Sequence, residues 1–433
     1  MEILGYLFCS LIGLVVNGKF FAISDLHYDI FYDGRFNETY RCHERKTNYD
    51  KGDKIPTDDV RIVVRENCDC SLEMISVALQ QMKIVEPEPE FILVLGDIVG
   101  HFTSSYLNED GEYNAEYTIK LIEQTHEDVV KLIRKFFPDT QIIPVIGNND
   151  AYLDYVMPEG LEKKRYLEFL YKLWGPLVGG ISDVFLQHGF YNTTTKSGKT
   201  ILVLNSLLLS YYQENKNVGQ IEQFLWLENE IVSKENIYIA FHIPPGMALY
   251  NGGTQSWKAE HVSIFKSILS RHSSKIKAIF TGHYHSGVFQ LINNIPTLTS
   301  PSISPIFGGN PSFRQYDIEN NNYFDYTLDS YKYTGAWYST SFTQEYGFAL
   351  NLEKLLLQMQ FGLTSISHFL KVTTGWWIYK NPSFQDMCKP IFGNICNYPE
   401  EYLRRVAVCA IKYQLKAEFD ECKLGLLRTT LHN

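Results

Sequence analysis

The sequence predicts a layered α/β fold, and three observations predict it. Short apolar runs recur, each ending at a glycine or a polar residue, as buried strands do. Amphipathic stretches at helical spacing separate them. Further strands close the pattern through a hairpin. Residues 91–101, FILVLGDIVGH, are the clearest case. Apolar residues run from Phe91 to Leu95 straight into Gly96-Asp97. Such a run reads as a strand buried on both faces, and such strands deliver their chemistry just past their C-terminal ends. An aspartate there is costly unless its charge is matched, and one carboxylate can face two cations at once. Asp97 is therefore the expected bridging ligand of a two-metal site.

The other elements follow in order. Residues 19–24 (KFFAIS) form the first strand, ending in Asp25-Leu26-His27. Alternation would place Asp25 and His27 on one side of an extended chain. Residues 31–70 are a polar excursion carrying Cys42 and Cys68, read as stapled by a disulfide. A helix over 71–85 presents Leu72, Ile75, Leu79 and Met82, and one over 118–137 ends at Pro138. The strand 141–146 (QIIPVI) leads into Gly147-Asn148-Asn149-Asp150. A helix over 161–174 should stop at Gly175-Pro176. The strand 200–205 precedes a polar loop and a helix through Phe224, Leu225 and Ile231. Strands 237–241 and 275–280 end in His242-Ile243-Pro244-Pro245-Gly246 and Thr281-Gly282-His283-Tyr284-His285, and Asn293-Asn294 marks a hairpin.

Composition narrows the class. The 433 residues exceed the usual single domain, so a large domain with an accessory region is expected. Hydrophobic residues make up 45% and charged ones 20%, which excludes wholesale disorder. A net charge of −10 argues against a nucleic-acid duplex as partner. Residues 3–16 (ILGYLFCSLIGLVV) are an apolar run of signal-peptide length, so residues 1–18 read as a cleaved signal. The run is short for a bilayer span of about 20 residues, and no other segment could span one, so no stable membrane insertion is expected. Of eight cysteines, Cys9 lies in the signal. The rest lie at the two ends of the mature chain, away from any metal-type motif, and suggest disulfides. Sequons at Asn37 and Asn192 fit the same secreted, extracellular or endolysosomal compartment.

Asp25, His27, Asp97, Asn148, His242, His283 and His285 all fall at strand ends. A lone buried histidine is more often a core residue than a ligand, but this whole set is hard to obtain from packing. Oxygen and imidazole donors without thiolate suit zinc, manganese or iron. With Asp97 shared, Asp25, His27, Asp97 and His285 would hold one ion, and Asp97, Asn148, His242 and His283 the other. Alternation across Tyr284 would let His283 and His285 serve one cluster from an extended segment. Ions about 3.5–4 Å apart acidify a bridging water, clamp phosphoryl oxygens and neutralise charge building on phosphorus.

The order D-x-H, G-D, G-N-x-[DE], H, G-H-x-H resembles that of calcineurin-like metallophosphoesterases. A finer resemblance is to the acid sphingomyelinase-like phosphodiesterases. It rests on Ser24-Asp25-Leu26-His27-Tyr28-Asp29, on Gly96-Asp97 with His101 four residues on, and on QFLWL at 223–227, AFHIPPG at 240–246, PSISP at 301–305 and NPSFRQYD at 310–317. The resemblance covers roughly residues 19 to 422. It implies a β-sandwich of two mixed sheets flanked by helices over 19–322, with a C-terminal helical, disulfide-containing subdomain over 323–433. It further implies two divalent ions, most simply Zn2+, hydroxide attack on phosphorus, and Cys42–Cys68, Cys388–Cys396 and Cys409–Cys422 as pairs, leaving Cys70 unpaired. A monomer is the expected state.

Two departures shape the expected substrate. The D-x-H strand begins almost at the cleavage site, which leaves no room for the saposin module of true acid sphingomyelinases. That favours the saposin-less branch and soluble phosphoesters of nucleotide type, phosphoanhydrides or diesters. The family usually has G-N-H-[DE], where the histidine helps protonate the leaving group. Here Asn149 stands in its place, and G-N-N-D resembles the fungal endopolyphosphatases. Asn149 can position phosphate beside Asn148 but cannot deliver a proton. His101 is then the general-acid candidate. Sphingomyelin or polyphosphate hydrolysis is the alternative of the same chemistry. A weakly catalytic metal-binding surface protein is the alternative of another class.

Overall fold

The computed structural model of the chain describes residues 18–36, 42–43, 64–108, 110–214, 219–329, 336–379 and 382–430. The signal expected over 1–18, apart from Gly18, and the sequon asparagine Asn37 lie outside the described residues. The chain begins β1 (Lys19–Ile23), α1 (Leu72–Val85), β2 (Phe91–Val94), α2 (Ala115–Phe136), β3 (Gln141–Pro144) and α3 (Gly160–Val178). It continues α4 (Phe185–His188), β4 (Tyr191–Thr194), β5 (Thr200–Val203), α5 (Gln220–Ser233), β6 (Ile237–Ala240), β7 (Met247–Ala248), β8 (Thr254–Gln255) and α6 (Ala259–Arg271). Then come β9 (Ile276–Thr281), β10 (Phe289–Ile292), β11 (Ile295–Thr299), β12 (Ser312–Asp317), β13 (Asn322–Leu328) and β14 (Trp337–Ser341). Beyond them lie α7 (Phe342–Tyr346), α8 (Leu352–Gln360), α9 (Ile366–Thr373), α10 (Phe384–Phe392), α11 (Glu400–Lys412) and α12 (Lys416–Thr430).

Among the described residues the strands form two six-stranded mixed sheets, β14-β13-β12-β1-β2-β3 and β10-β11-β9-β6-β5-β4. The layered α/β fold expected from the sequence is thus the fold found. Parallel pairing of β1, β2 and β3 in one sheet, and of β5, β6 and β9 in the other, brings their C-terminal ends to a common edge within each sheet. Aromatic rings close the space between the sheets. Phe20 of β1 meets Phe280 of β9 edge-on at 5.4 Å, and Phe280 meets Tyr316 of β12 at 4.9 Å. All three are buried. Full burial of each such side chain is worth roughly 1.5–3 kcal/mol, which makes this contact a main tie between the layers.

Local signals explain most helix boundaries. Ser71 caps α1 by accepting from the Met74 N–H, and Asn114 caps α2 from the Tyr117 N–H. The hairpin at Asn293-Asn294 has both residues at positive φ, 50° and 63°, as a tight β10–β11 turn requires.

Several expectations need correction. α3 does not stop at Gly175-Pro176 but runs through Pro176 to Val178. Side chains from elsewhere take up its terminal carbonyls: Arg134 Nη2 donates to Pro176 O (3.0 Å) and Gln141 Nε2 to Val178 O (2.8 Å). Gly179, at φ 88°, supplies the left-handed cap. The loop after β5 is not polar throughout, because Ser206–Leu209 form a 3-10 turn whose three leucines are buried. The first sheet also continues past residue 322. β13 begins at Asn322 and β14 ends at Ser341, and among the described residues every regular element after Ser341 is helical. Disulfides join Cys42 to Cys68, Cys388 to Cys396 and Cys409 to Cys422, and Cys70 is buried and free. No helix among the described residues is long and apolar enough to cross a membrane.

Candidate metal centre

The turns that follow β1, β2, β3, β6 and β9 interlock where the two sheets meet. A Cβ on Gly96 would stand 2.8 Å from Gly147 Cα and from His242 Nδ1, and one on Gly282 would stand 2.0 Å from Ser24 Oγ. Only glycine lets these backbones approach so closely. Asp25 N donates to Gly96 O (3.1 Å), His27 N to Asp97 O (2.9 Å) and Gly282 N to His242 O (3.0 Å), so the turns brace one another.

The side chains are not aimed by strand alternation, contrary to expectation. Asp25, His27, Asp97, His283 and His285 have φ of 52°, 43°, 54°, 75° and 53°. They sit in the left-handed region, where each non-glycine residue costs on the order of 1–2 kcal/mol. The two segments read as extended are not: left-handed residues interrupt Asp25-Leu26-His27, and His283-Tyr284-His285 is a bend. The surrounding packing holds this strain and turns the donors inward.

The donors converge. Three groups have ligand atoms within 4.8 Å of one another: Asp25, His27 and Asp97; Asp97, His242 and His283; and His27, His101 and His285. His27 Nε2 lies 3.6 Å from Asp97 Oδ2 and 3.1 Å from His285 Nε2. His285 Nε2 lies 3.4 Å from Asp25 Oδ1. At the same Asp97 oxygen, His242 Nε2 lies 3.2 Å from Oδ2, and it lies 3.1 Å from Asn148 Oδ1.

The backbone settles how two of these rings present themselves. His27 Nδ1 donates to Val99 O (3.1 Å) and His242 Nδ1 to Leu95 O (2.6 Å). A carbonyl only accepts, so Nδ1 carries the proton in both rings, and the neutral ring turns a bare Nε2 lone pair toward Asp97. Two lone pairs facing one buried carboxylate require a positive charge between them, whether protons or a cation. Burial pulls the pKa of His27 down, but its hydrogen bond to Asp25 and the charge of Asp97 push it up to about 9. For His242 burial likewise opposes, and the charge of Asp97 prevails, again to about 9. Burial, with the charge of His242 behind it, holds His283 down at about 4. Burial holds His285 at about 3 against the pull of Asp25. Burial opposes ionisation of Asp25 and Asp97, but the surrounding imidazoles keep both below the ordinary carboxylate range, His285, His27 and His242 around the first and His242 and His27 around the second. Shared oxygen and imidazole donors in a buried, charge-hungry cluster fit divalent ions.

Supporting residues include several that sequence reasoning missed. Asp150 is fully buried and accepts four backbone N–H groups. These are Gly147 (2.8 Å) and Asp97 (3.0 Å) on one oxygen, and Ile98 (2.8 Å) and Val99 (3.2 Å) on the other. Asn149 donates from its backbone to Asp97 Oδ1 (2.9 Å) and from its side chain to Asp97 Oδ2 (3.0 Å), so its amide holds the shared carboxylate. Asn148 Nδ2 donates to Asp154 (2.9 Å), which leaves its Oδ1 toward His242. His101 stacks on His27 at 3.9 Å, and its Nδ1 bonds to Asp69 Oδ1 (2.9 Å). Asp69 also accepts the His101 backbone N–H (2.8 Å) and lies next to the Cys42–Cys68 bridge. No local pattern marked Asp69, since it lies 32 residues before its partner in the sequence. Its substitution by asparagine is expected to lower kcat roughly 10-fold or more at unchanged KM and metal content, as outer partners of site histidines do. Steady-state kinetics beside metal analysis checks this. Asn192 is half-buried in the edge strand β4.

The cluster opens into a cavity of about 1090 Å³ whose far wall comes from α9, α10, α11 and the turn holding Cys396. The helical region therefore covers one side of the candidate site. Phe307 rests edge-on against His285 (4.7 Å) and His101 (5.2 Å) at the mouth.

Comparison with known proteins gives the family. The sequence profile described as calcineurin-like phosphoesterase matches residues 18–287. Sphingomyelinase phosphodiesterase C of Dictyostelium discoideum is 27% identical, over 94% of this chain and 92% of its own length. Cyclic GMP-AMP phosphodiesterase SMPDL3A of Mus musculus is 27% identical, over 72% of this chain and 70% of its own. A dimetal phosphatase structure from Danio rerio covers 71% of this chain and 94% of its own at 14% identity, with a TM-score of 0.46. The chain belongs to the calcineurin-like phosphoesterases, and among them to the acid sphingomyelinase-like phosphodiesterases, and is a metal-dependent phosphoric ester hydrolase.

Proposed function

We propose that this chain is a secreted phosphodiesterase with two Zn2+ ions, acting on soluble phosphoesters of nucleotide type. The observation that carries the reading is the pair of donor groups sharing Asp97, with imidazole lone pairs turned onto its carboxylate by backbone carbonyls. Asp25, His27, Asp97 and His285 would hold one ion, and Asp97, Asn148, His242 and His283 the other. When bound, such a pair supplies Lewis acidity and activates water for attack on phosphorus.

The chain's own residues do the rest. Asn149 fixes the Asp97 carboxylate through its side-chain amide. His101 lines the cavity with Nδ1 committed to Asp69, so Nε2 is the atom that can hand a proton to the leaving oxygen. Its replacement by alanine should slow substrates with poor leaving groups roughly 100-fold or more, and nitrophenolate esters far less, since nitrophenolate departs without a proton. Equal losses on both, together with loss of bound metal, would instead make His101 a ligand beside His27 and His285.

Nucleotide-type substrates are favoured by the named activity of the Mus musculus relative. A second reading, sphingomyelin, draws on the name of the Dictyostelium discoideum relative, which matches along nearly the whole chain. Disulfides fit export, with Asn37 and Asn192 as glycan acceptors. The deciding experiment measures turnover of a nucleoside triphosphate, a cyclic dinucleotide, sphingomyelin vesicles and long-chain polyphosphate by one zinc-loaded preparation, with and without chelator. Chelator-sensitive turnover of the nucleotides above the others is the expected result. Turnover of none would remove the nucleotide, sphingomyelin and polyphosphate readings and favour a weakly catalytic metal-binding surface protein.

A further inference from the structure

The part of the cavity beyond the metal cluster has a feature that phosphate chemistry does not use. Gln290 of β10 is 4% exposed on its apolar inner wall, near Val288, Phe289, Phe369 and Ile411, and no protein group hydrogen-bonds to its Oε1. Ser286, which directly follows His285 and also lines the cavity, is 1% exposed with its Oγ equally unpartnered. Thr297, paired with Gln290 across the β10–β11 hairpin, has a buried hydroxyl that is likewise without a partner. Buried polar groups are normally satisfied within the protein, and leaving them unpaired costs their full desolvation. Gln290 and Ser286 both line the cavity, and together they mark a place where something else satisfies them.

The backbone makes room for the Gln290 amide. Gly246, four residues after His242, has φ 101°, and a Cβ there would stand 3.2 Å from Gln290 Nε2 and 3.0 Å from Gln414 Cα. The amide therefore adjoins the loop that carries His242, so the phosphate end and the inner end of the cavity are parts of one site.

We propose that Gln290, with Ser286, is a specificity-determining subsite for a nucleobase, read through a donor and an acceptor side by side on its edge. This rests on the phosphodiesterase reading above and adds what the inner chamber holds. A carboxamide presents one acceptor and one donor group together, complementary to a base edge, as when glutamine reads adenine. The apolar wall around it offers contact area to the ring. An alkyl chain would cover that wall equally well but would bury the amide unpaired, so the chamber discriminates against lipid tails.

The test uses the zinc-loaded full chain and its Gln290→Leu and Gln290→Glu variants. The substrates are the p-nitrophenyl esters of thymidine and adenosine 5′-monophosphate, and methyl p-nitrophenyl phosphate, which has no base. With Leu, KM should rise roughly tenfold or more for at least one base-bearing ester and stay unchanged for the methyl ester. With Glu, which keeps the shape and an acceptor but loses the donor, the thymidine and adenosine esters should shift unequally. Thermal unfolding and zinc content unchanged from wild type exclude misfolding as the cause. Equal changes on all three esters, or none on any, would overturn the subsite while leaving the hydrolase reading intact. So would a gain by Gln290→Leu on a micellar short-chain sphingomyelin, which would make the chamber an acyl site. A wild-type chain that turned over none of the esters would instead overturn the reading beneath it.

Discussion

Replacing Asp97 by asparagine is expected to lower phosphodiester turnover roughly 1,000-fold or more, because paired ions supply several kcal/mol of transition-state stabilisation and each 1.36 kcal/mol is tenfold in rate. The shape of the residue is kept and only the charge is removed. Asp97 is the one carboxylate within reach of both His27 Nε2 (3.6 Å) and His242 Nε2 (3.2 Å) among the described residues. An amide there would turn either its NH2 or its single acceptor toward the two rings, and it could not balance a second cation. The variant should bind less metal at equal zinc activity, and elemental analysis beside kinetics checks both halves. Full metal loading with full activity would show that Asp97 does not bridge. The fold should survive, since the Asp97 backbone N–H still has Asp150 Oδ2 at 3.0 Å.

The Asp150→Ala variant should do the reverse and damage the scaffold first. Its carboxylate satisfies four backbone N–H groups that belong to two separate turns, Gly96–Val99 and Gly147–Asp150. Alanine would strand them in a region from which water is excluded, at about 1–3 kcal/mol each before relaxation. Relaxation and incoming water recover part of this, so a net loss of roughly 4 kcal/mol is expected, or about 6 °C in Tm for a domain of this size. Activity should fall with it, because the same four bonds set the position of Asp97 and Asn148. Calorimetry on the metal-free chain separates the two effects. A Tm within a degree or two of wild type would show that the turns hold themselves. Asparagine at 150 should be intermediate, since its Nδ2 would face N–H donors it cannot satisfy.

The two substitutions act on different levels of one arrangement. Asp97 carries charge that the site needs, while Asp150 carries geometry. The strain at Asp25, His27, Asp97, His283 and His285 connects them, since left-handed backbone persists only where neighbours over-determine it.

Which residues form the candidate centre was legible in the linear chain, because each stands directly after a short apolar run and beside a turn-forming residue. Burial of the strand and the need to match a polar group at its end are local facts that composition and order reveal. The hairpin at Asn293-Asn294 and the caps Ser71 and Asn114 are local in the same sense. Other features were settled by contacts between distant segments. The chain could not announce that α3 continues through Pro176, because the groups that receive its carbonyls are Arg134 and Gln141. Nor could it announce β13 and β14 as a continuation of the first sheet, since their partner β12 is itself ordered by pairing with β1.

The sequence by itself determined the layered architecture, the set of oxygen and imidazole donors and their order, because strand burial and turn chemistry are written in neighbouring residues. Tertiary structure alone decided how those donors are aimed, that Asp69 holds His101, that four amides gather on Asp150, and that Gln290 faces a cavity unpaired. Each of these depends on a hydrogen bond made, or left unmade, between residues far apart in the chain, where spacing along the backbone carries no information.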